Sequence, residues 1–469
     1  MLENLRKYSV FKYFEEISKI PRKSGNEQEI VKYLENFARK RNLKYYTDKY
    51  NNIVIIKEAS KGQELKKTIA IQAHTDMICE KQDDVQHDFL NDPLELYIEG
   101  DYIKAKGTTL GADNGIGVAY ILALLDSDDI ISPKLECIFT SEEETTMLGA
   151  INLDMDKIES NRIISLDGSK EGKMLISSAE CEEWICTLPY KTQKNEYKYC
   201  YELVYENFKG GHSGGNIADE KRGNPIKLGV ELLTKLDTYR IIQINGGSRV
   251  NVIPRDVNIT FATNDENVES ILQEYINFQK QFYGEQVNIA LGKIKHQEKV
   301  LDERVSNNLI GFIFEFENGA IKTDEEGNVV QSGNMAQVNI KENEVNIAFS
   351  QRSNVKEAEE QYLDNLSNLI SKYSLTVKWT QNLKGVPKKD NNNLANTCKA
   401  VYEKMFGEDM EQIISQGVVE GGFFVSKKQD CEYICIGPNL YDAHSPSERL
   451  SIKSTLKVWK YLKKLIRKI

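Results

Sequence analysis

The sequence predicts an α/β protein in which a domain with a central, mainly parallel sheet flanked by helices is interrupted by an inserted α+β domain. Three observations predict it. Along residues 1–187, apolar strand-like runs alternate with helical patterns, as βαβ units require. Between residues 188 and 384 the texture changes to helical patterns set among short β-rich segments. From 385 to 469 the α/β texture returns. A length of 469 residues is about three times the ~150-residue prior for one domain, so two domains are expected.

Ser24-x-x-Glu27 reads as a capping box that starts a helix running to about Arg41, after the stop at Pro21. Strand-like runs occupy 52–57 and 68–74. A helix is expected from about Asn114, where GIGVAYILALL is apolar almost all round and therefore buried. Strands are expected at 135–140 and 162–167. In the inserted part, helices are expected at 225–236, 268–282, 307–316 and 355–373, with a strand at 344–350. Hinges are expected near 187–190 and 383–386. Beyond them come a helix near 392–406, a strand at 432–436 and a last helix at 450–469. Ile452, Leu456, Trp459, Leu462 and Ile466 share one face of that helix. Its excess of Lys and Arg is favoured near a helix C-terminus by the dipole, so the apolar face is read as packing and not as membrane binding.

Composition narrows the function classes. With 40% apolar and 28% charged residues the chain can bury a sizeable core. Lys plus Arg number 61 against 71 Asp plus Glu, a net charge of −10, which argues against a nucleic-acid partner. No apolar run reaches the ~18 residues of a membrane span, and the N-terminus lacks a signal-peptide pattern. A cytoplasmic location is expected. The eight cysteines are scattered with no C-x2-C pair, so reduced, buried thiols are expected.

Histidine is scarce, at five in the whole chain. His74, in QAHTDM, ends the apolar run that starts at Thr68. Asp76 lies two residues on, on the same face if the extended geometry persists, and can steer an imidazole that binds a metal. Asp113 sits in GTTLGADNGIG, a Gly-rich turn before the buried helix. It reads either as an N-cap or as a ligand at the crevice where α/β sheets bind. Glu142, Glu143 and Glu144 end the strand of TSEEETT. They form either a solvated acidic turn or a pair in which one carboxylate binds metal while its neighbour handles protons. Asp167 closes RIISLD, and His444 lies in YDAHSPSE. Each of these residues comes just after an expected strand. Their recurrence at one end of one sheet points to a shared site.

These motifs resemble the aminoacyl-histidine dipeptidases, within the aminoacylase and carboxypeptidase-G type of zinc peptidases. The resemblance is dense over HTDMICEKQDDVQHDFLNDPLELYIEGDYIKAKGTTLGADNGIG. It resumes at FTSEEETTMLGA, FKGGHSGGNI, RGNPIK, EGGFF, CIGP and HSPSE, in the right order along nearly the whole chain. It implies a zinc-exopeptidase-like catalytic domain with an inserted lid. It further implies two Zn2+ per chain, with Mn2+ or Co2+ as substitutes. His74, Asp113 and Asp167 would hold one ion; Asp113, Glu144 and His444 would hold the other, with Asp113 bridging. Asp76 would orient His74 and Glu143 would be the general base, acting on a hydroxide shared by the metals. His212, in GGHSGG, would contact the substrate carbonyl from the lid, within its own chain or across a homodimer. Asn251 and Arg352 are candidates for the substrate's terminal carboxylate, with a surface salt bridge as the plain alternative for Arg352. His87 and His296 are read as structural or solvated.

The implied reaction is hydrolysis of small dipeptides such as Xaa-His or Cys-Gly. The alternatives are an amidohydrolase acting on N-acyl amino acids and a non-catalytic binding protein of the same fold. Departures from the family pattern fall at Thr145-Thr146, at SSAECEEW after Asp167, and at Gln416, where relatives can carry histidine. None touches an implied ligand, but each bears on substrate preference.

Overall fold

The computed structural model describes residues 2–389, 391–428 and 430–469, with backbone alone for 356–360. The chain divides into two compact units. The first comprises Met1–Ser177, Lys388–Ile413 and Val419–Ile469; the second comprises Ser178–Pro387 and Ile414–Val418. Each has its own apolar core.

The first unit is organised by an eight-stranded sheet. Its strands run in the order Lys44–Thr47, Ile53–Lys57, Leu135–Thr140, Ile69–His74, Arg162–Ser165, Glu432–Cys435, Lys173–Ser178 and Glu411–Ser415. The four central strands pair in parallel, whereas Lys44–Thr47, Ile53–Lys57 and Lys173–Ser178 join antiparallel. The sheet is thus mixed around a parallel centre. Strands covered on both faces must be apolar along their whole length, and Ile69–His74 and Leu135–Thr140 are buried at every position. The helix Ala112–Leu125 lies in the same core, buried nearly all round. Trp459, Leu462 and Ile466 of the last helix, Ile452–Lys468, are also buried. A small four-stranded sheet, in the order Leu440–Tyr441, Arg449–Ser451, Tyr102–Ala105 and Leu96–Glu99, ties the C-terminal segment to the chain just before the Gly107–Gly117 turn.

The second unit is a nine-stranded sheet with helices Pro225–Leu233, Val268–Tyr283, Glu303–Glu315 and Lys356–Lys372. Its pairings are antiparallel. The division between units falls at Ser177/Ser178 and Pro387/Lys388, so the expected breaks at 187/188 and 384/385 are displaced. The reason is the strand Glu180–Pro189, which pairs along its length with Glu344–Ser353 and Thr376–Leu383. Residues 187–190 are therefore mostly sheet and not a linker. Residues 414–418 also belong to the second unit, which no compositional change announces.

Candidate metal centre

The centre is built where the parallel strands end. Strand Ile69–His74 delivers His74, which is fully buried, and the Thr75 N–H bonds to the Thr140 carbonyl. That contact brings the loop after Leu135–Thr140, carrying Glu143 and Glu144, beside His74. Asp76, also fully buried, joins the two: its Oδ1 lies 3.3 Å from His74 Nδ1. The same carboxylate accepts the Glu143 N–H at 3.0 Å and the Glu144 N–H at 3.2 Å. Ser24 Oγ donates to it at 2.7 Å. The Ser24 hydroxyl is therefore spent on Asp76 and does not cap a helix. The helix starts at Gln28 with no side-chain cap.

With Nδ1 turned to Asp76, His74 presents Nε2 to Asp113 Oδ1 at 3.2 Å and Asp167 Oδ1 at 3.3 Å. The other oxygen of Asp113, Oδ2, faces His444 Nε2 at 3.3 Å, and Glu144 Oε2 lies 3.0 Å from the same nitrogen. Ligand atoms of His74, Asp113 and Asp167 form one group within 4.8 Å of one another, those of Asp113, Glu144 and His444 form a second, and Glu143 joins His74 and Glu144 in a third. The Asp113 side chain caps no helix: its backbone is non-helical, at φ/ψ −80°, 108°, and the Gly117 N–H at the start of the helix proper is accepted by Asn114 Oδ1 at 3.2 Å. His444 sits at φ 63°, a left-handed conformation that costs a non-glycine residue about 1–2 kcal/mol.

The electrostatics of this cluster call for a cation. Burial, reinforced by neighbouring carboxylates, pushes the Asp167 carboxyl up to about 6 and that of Glu144 up to about 7. Burial likewise drives Glu143 well above the usual range. Asp113 is held below it, against burial, by hydrogen bonds from His444 and His74. His444 is drawn up to about 11 by Asp113 and Glu144. Among the described residues no Lys or Arg ion-pairs with these carboxylates, and Glu144 Oε1 is buried without a partner. Buried carboxylates crowded together with only two imidazoles to offset them are costly. Two imidazole nitrogens and three carboxylates, without thiolate, form a donor set that fits Zn2+, Mn2+ or Co2+.

His212, Asn251 and Arg352 lie in the second unit. His212 Nδ1 accepts the N–H groups of Gly214 and Gly215, both at 3.1 Å. A ring nitrogen that accepts carries no proton, so the neutral ring is protonated at Nε2. Asn251 is half-buried, and its carbonyl accepts the Ser213 N–H. Arg352 is 4% exposed, which removes the surface-salt-bridge reading. Its Nη1 donates to the Gln416 carbonyl at 2.9 Å and Nη2 to Ser213 Oγ at 3.2 Å, while Nε is unpartnered. The Gln416 side chain accepts from Ser332 and donates to Val329 and Asn354. That amide is committed to holding strands together.

Three buried ionisable residues at the first unit's site carry no sequence signal of their own. Glu420 Oε2 accepts from Gln72 at 2.6 Å and Thr140 at 2.7 Å, and burial pushes its carboxyl up to about 8. Arg22 and Glu448, each 2% exposed, bond to the loops that carry Asp76 and Asp113. Glu420 and Glu448 stand inside EGGFF and HSPSE, but no spacing distinguishes a buried carboxylate from a solvated one.

Fold and cluster together define a metal-dependent hydrolase with its donors at the C-terminal edge of a parallel sheet. A family model for the peptidase family M20/M25/M40 matches residues 70–468, and the chain belongs to that family. It is a metallopeptidase. It is 29% identical over 483 aligned residues to the cytosol non-specific dipeptidase of Escherichia coli (strain K12), covering 100% of this chain and 99% of that one. Among solved structures it is similar to the aminoacylhistidine dipeptidase of Vibrio alginolyticus, with a TM-score of 0.88 and 27% identity over 98% of this chain and 96% of the other. An aminopeptidase of Bacillus cereus shares the fold at a TM-score of 0.56 and 14% identity, with 98% of each chain covered. Among the described residues no helix is long and apolar enough to cross a membrane.

Proposed function

We propose that this chain is a cytoplasmic dipeptidase that hydrolyses small dipeptides, Xaa-His or related ones such as Cys-Gly, with two zinc ions per chain. The observation that carries the proposal is the division of Asp113. One of its oxygens faces His74 and the other His444, and each imidazole is completed by a further carboxylate. A bridging ligand between two cations needs that arrangement. His74, Asp113 and Asp167 would hold one ion, and Asp113, Glu144 and His444 the other.

Such a pair of cations supplies Lewis acidity that polarises the carbonyl under attack and makes water acidic near neutral pH. The protein's own groups do the rest. Asp76 fixes the His74 ring through Nδ1, which leaves Nε2 for ligation. Glu143, held by its N–H on Asp76, takes the proton of the attacking water and returns it to the leaving amine. His212, protonated at Nε2, donates to the carbonyl oxygen as negative charge grows there. Asn251 would hold the substrate's terminal carboxylate; Arg352, whose Nη1 and Nη2 already bond to Gln416 and Ser213, would supply positive charge from behind the pocket wall.

The test is metal analysis combined with a hydrolysis panel of Xaa-His, Cys-Gly and N-acyl amino acids at defined metal loading. Two divalent ions per chain and turnover of dipeptides are expected. Absence of bound metal, or full activity in Glu143→Ala, removes the proposal. Turnover confined to N-acyl amino acids moves the enzyme to the deacylases.

A further inference from the structure

We infer that Glu448 and Arg22 are positioning residues that clamp the Gly111 peptide from both sides, and so set the cation affinity of the Asp113 site without touching a cation. The inference rests on the proposed metal site and adds to it.

Glu448 is an unusual carboxylate. Its Oε2 accepts the N–H groups of Leu110 at 2.8 Å and Gly111 at 2.9 Å. Its Oε1 accepts those of Ala112 at 2.8 Å and Asp113 at 3.3 Å. Four successive backbone donors therefore converge on one buried side chain, two to each oxygen. Burying a carboxylate is costly unless its lone pairs are satisfied, and here the satisfying donors are the backbone of the loop that presents Asp113. Arg22 works from the opposite side. Its Nη2 donates to the Gly111 carbonyl, and Nη1 donates to the carbonyls of Thr75 at 3.0 Å and Asp76 at 3.1 Å. One buried guanidinium thus links the loop after His74 to the loop before Asp113.

The glycines of this turn fit the clamp. Gly111 adopts φ 63°, and a Cβ there would lie 2.6 Å from Arg22 Nη2; a Cβ on Gly115 would meet the same atom at 2.6 Å. The chain gives up side chains at both positions and the guanidinium occupies the space. The small sheet that pairs Arg449–Ser451 with Tyr102–Ala105 brings Glu448 to the turn, four residues after His444. The same segment therefore carries one candidate ligand and the carboxylate that holds another.

Charge and shape are both required of Glu448. A glutamine keeps one acceptor oxygen but turns an NH2 group toward two N–H donors, which must move apart. Asp113 belongs to both ligand groups, so its displacement weakens both ions. Removal of a group that orients a metal ligand typically lowers metal affinity roughly 10–100-fold.

The test compares Glu448→Gln with Glu136→Gln in the whole chain. Glu136 is a matched control in the same unit: 2% exposed, it accepts the N–H groups of Glu159 and Ser160, both at 2.9 Å, at the opposite end of its strand from Glu143. Zinc affinity is read by titration against a competing chelator, and thermal melts report the fold. Glu448→Gln is expected to lose at least about tenfold in zinc affinity, while Glu136→Gln melts lower but binds as wild type. A folded Glu448→Gln that binds zinc like wild type overturns the inference. So does an equal loss in Glu136→Gln. Should Glu448→Gln not fold, Arg22→Lys carries the test, because an ammonium cannot span the three carbonyls; unchanged affinity there overturns the clamp. Failure of wild type itself to bind zinc removes the metal-site reading, an outcome distinct from the others.

Discussion

At the scale of single residues, the proposed function separates groups that hold from groups that react. Asp76 Oδ1 lies 3.3 Å from His74 Nδ1, and the backbone N–H groups of Glu143 and Glu144 donate to the same carboxylate. Glu143 itself has no ion-pair partner among the described residues. Glu143→Gln is therefore expected to retain its metal content while kcat falls by ~10²–10⁴, which metal analysis and steady-state rates would check together. His212 gives a second expectation. Two backbone N–H groups fix its tautomer, with the proton on Nε2. His212→Ala should lower kcat by roughly 10²–10³ with little change in bound zinc; a variant as fast as wild type would assign the histidine to the Gly-rich turn alone.

Elements are decided by what their backbone groups bond to. The helix Glu303–Glu315 ends on Lys227, whose Nζ donates to the carbonyls of Ile313, Phe314 and Phe316 at 2.6, 2.8 and 2.6 Å. Lys227→Met leaves these carbonyls without that donor and is expected to cost about 1–3 kcal/mol in urea unfolding. Burial also pushes the Lys227 ammonium down to about 8, whereas an unfolded lysine titrates near ~10.4. Between those values the unfolded chain binds more protons, so this group's contribution to stability rises with pH across that window. Wild type should gain on Lys227→Met as pH rises from about 8 to 10, and a constant difference would contradict it. The strand Glu180–Pro189 shows the same dependence in a sheet. Its pairing on both sides decides its domain, and its own residues do not announce it.

For the whole molecule, two separate cores imply two unfolding units. Every candidate metal ligand lies in the first unit: His74, Asp113, Glu144 and Asp167 before Ser177, and His444 after Val419. Calorimetry on metal-free protein is expected to resolve two transitions. Added zinc should raise only one of them, by RT ln(1 + [L]/Kd), or about 2.7 kcal/mol at a hundredfold excess over Kd. Equal shifts of both transitions would mean that the units unfold as one.

The amino-acid order alone determined the α/β class, the inserted domain, most helices and strands to within a few residues, and the acidic and histidine positions that recur after strands. It could do so because burial on both faces forces continuous apolar runs such as Ile69–His74 and Leu135–Thr140, and because parallel strands deliver the residues at their C-terminal ends to one edge of the sheet. Only the tertiary structure decided which charges are buried and what they bond. Ser24 serves Asp76 instead of a helix, Arg352 is interior, Gln416 is committed to Ser332, Val329 and Asn354, and Glu448 gathers four N–H groups. These roles depend on partners dozens to hundreds of residues away, and a hydrogen bond at that separation leaves no periodicity for a sequence to display.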